Sequence, residues 1–94
     1  SLEENSLSKA PVISTGKVIR IEGIVRDVQA TPIAGVKVKT ISSEEGVMTD
    51  AKGSYSLPAH SDDILLFSKK GYASQKVRTN GQHKINIQMM KENF

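Results

Sequence analysis

Thr49-Asp50-Ala51-Lys52-Gly53-Ser54-Tyr55-Ser56-Leu57 decides how the chain is read. Asp at the first position and Gly at the fourth is the composition of a type I turn. The hairpin form of that turn needs a left-handed residue after its two centres, and Gly53 takes this conformation without a Cβ clash. Met48 and Thr49 lead in, and Tyr55 and Leu57 alternate out. The stretch predicts a strand over residues 47–49 and a partner strand over residues 54–57, with further strands wrapped round this hairpin.

On the N-terminal side, Ile19, Ile21, Gly23 and Val25 fall on one face, with Arg20, Glu22 and Arg26 on the other. A period of two predicts a half-buried strand, and Gly23 inside it predicts a bulge or a close backbone approach. Residues 27–35 hold Thr31-Pro32 and Gly35, which is turn chemistry, with Ile33 turned inward. Val36 and Val38 then alternate with Lys37 and Lys39, and residues 42–46 form a polar turn.

On the C-terminal side, residues 58–63 read as a loop. Residues 64–68 lack alternation, which predicts a core strand covered on both sides. Lys69-Lys70-Gly71-Tyr72 breaks it, and residues 74–79 resume with Val77 inward. Asn80-Gly81 is the strongest short hairpin signal in the chain. Beyond it, Ile85, Ile87 and Met89 alternate with Lys84, Asn86 and Gln88. Roughly seven short strands with turn signals every ~8 to 12 residues predict an all-β sandwich. Ile19, Ile21, Val25, Val36, Val38, Tyr55, Leu57, Phe67, Val77, Ile85 and Ile87 are its expected core.

Ninety-four residues suffice for one domain with a modest core. The expected layout is a linker over residues 1–16, where Val12 and Ile13 could add a short pairing segment, a sandwich over 17–90 and a tail over 91–94. The formal net charge of +3 comes from scattered lysines and arginines, which name no partner. The longest aliphatic or aromatic run, Ile64-Leu65-Leu66-Phe67, is far too short to span a bilayer, so no direct membrane insertion is expected. Without cysteine there is neither a disulfide framework nor a thiolate zinc site. A chain starting at Ser1 with no apolar leader is expected to be a mature chain or a piece of a larger one.

Four motifs occur in order: Ile21-x-Gly23-x-Val25-x-Asp27, Pro32-Ile33-x-Gly35-Val36-x-Val38, Thr49-Asp50-x-x-Gly53-x-Tyr55-x-Leu57, and Leu66-Phe67-Ser68 with Gly71-Tyr72. This ordered set resembles the carboxypeptidase regulatory-like domain over about residues 17–90. The resemblance implies a seven-stranded Greek-key β-sandwich of the transthyretin-like (prealbumin-like) type. It also implies a non-catalytic accessory module of a bacterial cell-envelope protein, in the periplasm or outer membrane of a Gram-negative bacterium. Its work would be contact with a protein partner or a neighbouring domain. The alternatives are the N-terminal extension of a TonB-dependent nutrient transporter, or a small transthyretin-like hydrolase of 5-hydroxyisourate. Such hydrolases end in Tyr-Arg-Gly-Ser, whereas this chain ends Met90-Lys91-Glu92-Asn93-Phe94.

No catalytic, cofactor or metal site follows from the residues. Asp27, Asp50, Asp62 and Asp63 lack the close, regular spacing of a calcium loop, and turn-making is the better role for Asp50. His60 and His83 fall at expected loop positions, with no nucleophile elbow or His-Glu-x-x-His motif. Lys69, Lys70, Lys76 and Arg78 read as a solvated positive face rather than a nucleic-acid site. Only two Phe and two Tyr exist to stack bases, with Tyr55 and Phe67 needed in the core. Tyr72 is expected to pack its ring at a strand corner and hydrogen-bond its hydroxyl to nearby backbone. Finally, the strand over residues 36–41 is read as a sheet edge guarded by Lys37 and Lys39; these lysines are expected to keep the surface soluble, the alternative being that the edge accepts an extended acidic segment by strand addition.

Overall fold

The computed structural model describes residues 16–92. The expected linker and the segment around Val12 and Ile13 lie outside these residues, except Gly16. The architecture is all-β, a transthyretin-like Greek-key sandwich of seven strands. They are β1 (Val18–Arg26), β2 (Lys37–Thr40), β3 (Gly46–Met48), β4 (Ser54–His60), β5 (Ile64–Ser68), β6 (Gln75–Arg78) and β7 (Ile87–Gln88). A three-stranded sheet runs β4-β1-β7 and a four-stranded sheet runs β3-β2-β5-β6. Neighbours pair antiparallel except β1 and β7, which are parallel through Val25↔Ile87 and Arg26↔Gln88.

Alternation drives each strand's apolar side into the space between the sheets. Ile21, Val25, Val36, Val38, Tyr55, Leu57, Phe67 and Ile85 are buried there, as their spacing predicts, together with Ile33, Ala59, Leu65 and Met89. Ile19, Val77 and Ile87 are half-buried against this cluster. At its centre Tyr55 and Phe67 meet edge to face, with ring centroids 5.5 Å apart. That geometry sets the positive edge of one ring against the negative face of the other. Gly23 supplies the close approach its position predicts: a Cβ there would overlap the Ile85 carbonyl.

The turn at the centre of the chain has the expected local form. Gly53 N–H donates to Asp50 O, Asp50 N–H donates to Ser54 O, and Gly53 has φ of 75°. Yet its flanking strands are not partners. β3 pairs with β2 and β4 pairs with β1, in different sheets. The reason lies in Thr49, which is buried. Its hydroxyl donates to Ile33 O and accepts from Val36 N–H, stitching the strand before the turn to the segment that leads into β2.

Asn80-Gly81 behaves alike. Both residues have positive φ, 46° and 72°, as a two-residue hairpin turn requires. The chain nevertheless crosses to the other sheet. Thr79 N–H and Gly81 N–H donate to Asp63 O and Ser61 O, and Ile85 N–H then donates to Glu22 O of β1.

Three further expectations change. β4 continues through Pro58 to His60 where a loop was expected; it is an edge strand, the place where a residue without an N–H is tolerated. β5 alternates after all: Leu65 and Phe67 are buried, while Ile64 and Leu66 are only half-buried on the outer side. β2 is not an edge. It lies between β3 and β5, paired on both sides over Lys37, Val38 and Lys39, which leaves no free edge there for strand addition. Pairing also extends to Lys91, bridged to Tyr72, and to Glu92, whose N–H donates to Gly71 O.

Candidate interaction surface

The acids form turns. Asp27 Oδ1 accepts the N–H groups of Gln29 and Thr31 at 2.8 and 2.9 Å. Asp50 Oδ1 accepts those of Lys52 and Ser54, both at 2.9 Å. Asp62 Oδ1 accepts from Gly16 N–H. Asp63, 1% exposed, accepts from Ile64 N–H at 2.7 Å and Ser42 Oγ at 3.1 Å. These bonds satisfy a carboxylate that burial would otherwise penalise. Among the described residues no three acidic, histidine or cysteine side chains are grouped to hold a metal ion.

The imidazoles are tied to backbone. His60 closes β4 rather than sitting in a loop, and its Nδ1–H donates to Gly16 O at 2.6 Å. His83, in the connection after β6, brings its Nδ1 to 3.4 Å from Arg20 O. Tyr55 lies in the core as expected, and the expectation for Tyr72 holds for its ring but not for its hydroxyl. Tyr72 packs its ring against the core, but among the described residues its hydroxyl makes no hydrogen bond. Tyr55 does so instead, donating to Ile85 O at 2.5 Å. Burial pushes the Tyr55 hydroxyl well above its ordinary pKa, so it stays a proton donor.

What the tertiary structure does assemble is the outer face of the four-stranded sheet. Register places Lys39, Leu66 and Lys76 in one row across β2, β5 and β6. Ile64 lies beside Arg78 in the row on one side. On the other side, Lys37 lies between Met48 and Ser68. Every charged residue within these four strands is therefore a cation, and all four cations point outward. Between and beside them stand half-buried Ile64 and Leu66, Met48 at 62% exposure and Ile41, just past β2, at 40%. Lys39 Nζ lies 4.0 Å from Glu44 Oε1 on the adjoining turn, an exposed contact of little energetic weight. At the end formed by the β5–β6 turn, the face runs into a groove of about 650 Å³ lined by Lys37, Met48, Ser68, Lys69, Lys70 and Tyr72, with Glu92 its acidic lining residue.

Of the expected basic cluster, Lys76 and Arg78 belong to this face and Lys69 and Lys70 to the groove. The sequence signal for the rest was present but divided. Lys37 and Lys39 stood out as a charged strand side, while Leu66 was hidden in a run without visible alternation.

Comparison with known proteins agrees with the sandwich. The chain is 31% identical over 67 residues to the TonB-dependent receptor SusC of Bacteroides thetaiotaomicron, covering 71% of this chain and 7% of the receptor. It is 34% identical over 65 residues to the TonB-dependent receptor P26 of Formosa agariphila, covering 69% of this chain and 6% of that protein. The chain thus spans a small fraction of the length of these relatives. A family match runs over residues 21–94, from the first buried residue of β1 past β7, and by it the chain belongs to the CarboxypepD_reg-like domain family.

Proposed function

We propose that this sandwich is a non-catalytic accessory module of a bacterial cell-envelope protein, acting outside the cytoplasm through contact with a neighbouring domain or a protein partner. The observation that carries the reading is the match to short segments of two TonB-dependent receptors, each many times longer than this chain. The same observation favours the more specific form, in which the chain is an N-terminal extension of a TonB-dependent transporter. The side chains support it. The polar groups that catalysis would use are spent on turns and backbone carbonyls.

Two measurements test this. The purified chain should give background turnover with 5-hydroxyisourate. In the full-length protein that carries it, deleting residues 16–92 should leave the remainder folded and in the membrane while altering uptake. Turnover by the isolated chain, or uptake indifferent to the deletion, would overturn the reading.

A further inference from the structure

We infer that the outer face of the four-stranded sheet is a docking surface for an acidic, aliphatic-containing protein segment, laid along β5 between the lysines of β2 and the Lys76–Arg78 row of β6. This rests on the accessory-module reading and names the surface it would use.

The first argument is the aliphatic strip. An antiparallel sheet facing water normally shows polar side chains on its wet side. Here two of the three outward positions of β5, Ile64 and Leu66, are aliphatic, Ser68 being the third, and Ile41, whose N–H donates to Ile64 O, lengthens the strip. The long stems of flanking lysines cover part of such a strip, while their ammonium groups stay in water.

The second argument is charge. Strands lie about 4.8 Å apart and alternate residues about 6.8 Å along a strand. The cations therefore frame a band about 10 Å wide and about 14 Å long, with Leu66 at its centre. Mutual repulsion across the band is relieved by carboxylates placed beside the strip, and the strip gains by burial under apolar side chains. A segment mixing the two fits both features.

Edge protection does not account for the two lysines on β2, because that strand is interior. A nucleic acid fits less well, since among the described residues the four strands present no outward aromatic ring for stacking: Tyr55 and Phe67 are buried in the core, and Tyr72 lies half-buried in the adjoining groove.

The test is an amide-resolved NMR titration of the full 94-residue chain with an acetylated nonapeptide of repeating Glu-Glu-Leu. Parallel titrations use a Lys-Lys-Leu counterpart, a single-stranded oligothymidylate and phosphatidylglycerol vesicles. Shifts should concentrate at residues 37–39, 64–68 and 76–78 with the acidic peptide alone, and affinity should fall several-fold between 50 and 200 mM salt. Lys37→Glu/Lys76→Glu should weaken binding at least about tenfold, as expected when attraction becomes repulsion at two sites. Leu66→Ser should weaken it at the same charge, both variants being checked for an unchanged melting temperature. Scattered shifts, equal binding by the charge-reversed variant, or stronger binding of the oligonucleotide or vesicles would overturn the inference. In the full-length protein, a deletion that alters uptake beside a charge-reversed face that does not would overturn this surface and leave the accessory role standing.

Discussion

Ala30 and Gly53 occupy the same place in two copies of one loop. Each lies three residues after an aspartate whose Oδ1 accepts the N–H groups two and four residues on. Each donates its N–H to that aspartate's carbonyl, and each has positive φ, 67° for Ala30 and 75° for Gly53. Only at the second does the sequence supply the residue free of left-handed strain.

Ala30→Gly should therefore stabilise the fold. Relief of left-handed strain is worth about 1–2 kcal/mol, and the freer unfolded chain takes back about 0.4–1, leaving roughly 0.5–1 kcal/mol in favour. Urea denaturation should show a higher midpoint at unchanged slope.

Gly53→Val should go the other way, by at least about 1 kcal/mol. A Cβ at Gly53 would lie 2.5 Å from Val25 O, so steric overlap adds to the backbone strain. Lys52→Ala, on the exposed tip of the same loop, should change the melting temperature little.

Tyr55→Phe should cost about 1–2 kcal/mol, because the buried Ile85 carbonyl loses its donor while the ring packing stays. The alkaline limb of stability carries a second signature. Burial raises the Tyr55 pKa in the fold above its ordinary value of 10.0. The neutral hydroxyl's contribution is then complete below pH 10 and is lost progressively as pH rises beyond it. Melting temperatures recorded from pH 8 to 11.5 should fall less steeply above pH 10 in Tyr55→Phe than in wild type.

Asp27→Ala and Asp50→Ala should each cost about 1–2 kcal/mol, since each removes an acceptor shared by two backbone N–H groups. Millimolar calcium should leave the wild-type melting temperature unchanged. An upward shift that either substitution abolished would show that the loop holds an ion.

The all-β character, the turns and most of the core follow from sequence alone, because they depend on local physics. Ile21, Val25, Val36, Val38, Tyr55 and Leu57 are buried because a period of two sends alternate side chains to one face. Asp50 and Gly53 make their turn because an acceptor and a left-handed residue are needed within four positions.

Which strands pair is a different matter, since a ladder joins residues distant in the chain and many partners satisfy the same alternation. Only the packed structure sends β3 to β2 and β4 to β1, seals β2 between two neighbours, and carries the chain from Asn80-Gly81 to the opposite sheet. Burial of Thr49 and Thr79, whose hydroxyls each bond backbone from a distant segment, fixes those crossings. The basic face is decided the same way: Lys37, Lys39, Lys76 and Arg78 are split between two strands, and it is β5, inserted between those strands, that sets Leu66 and Ile64 among them.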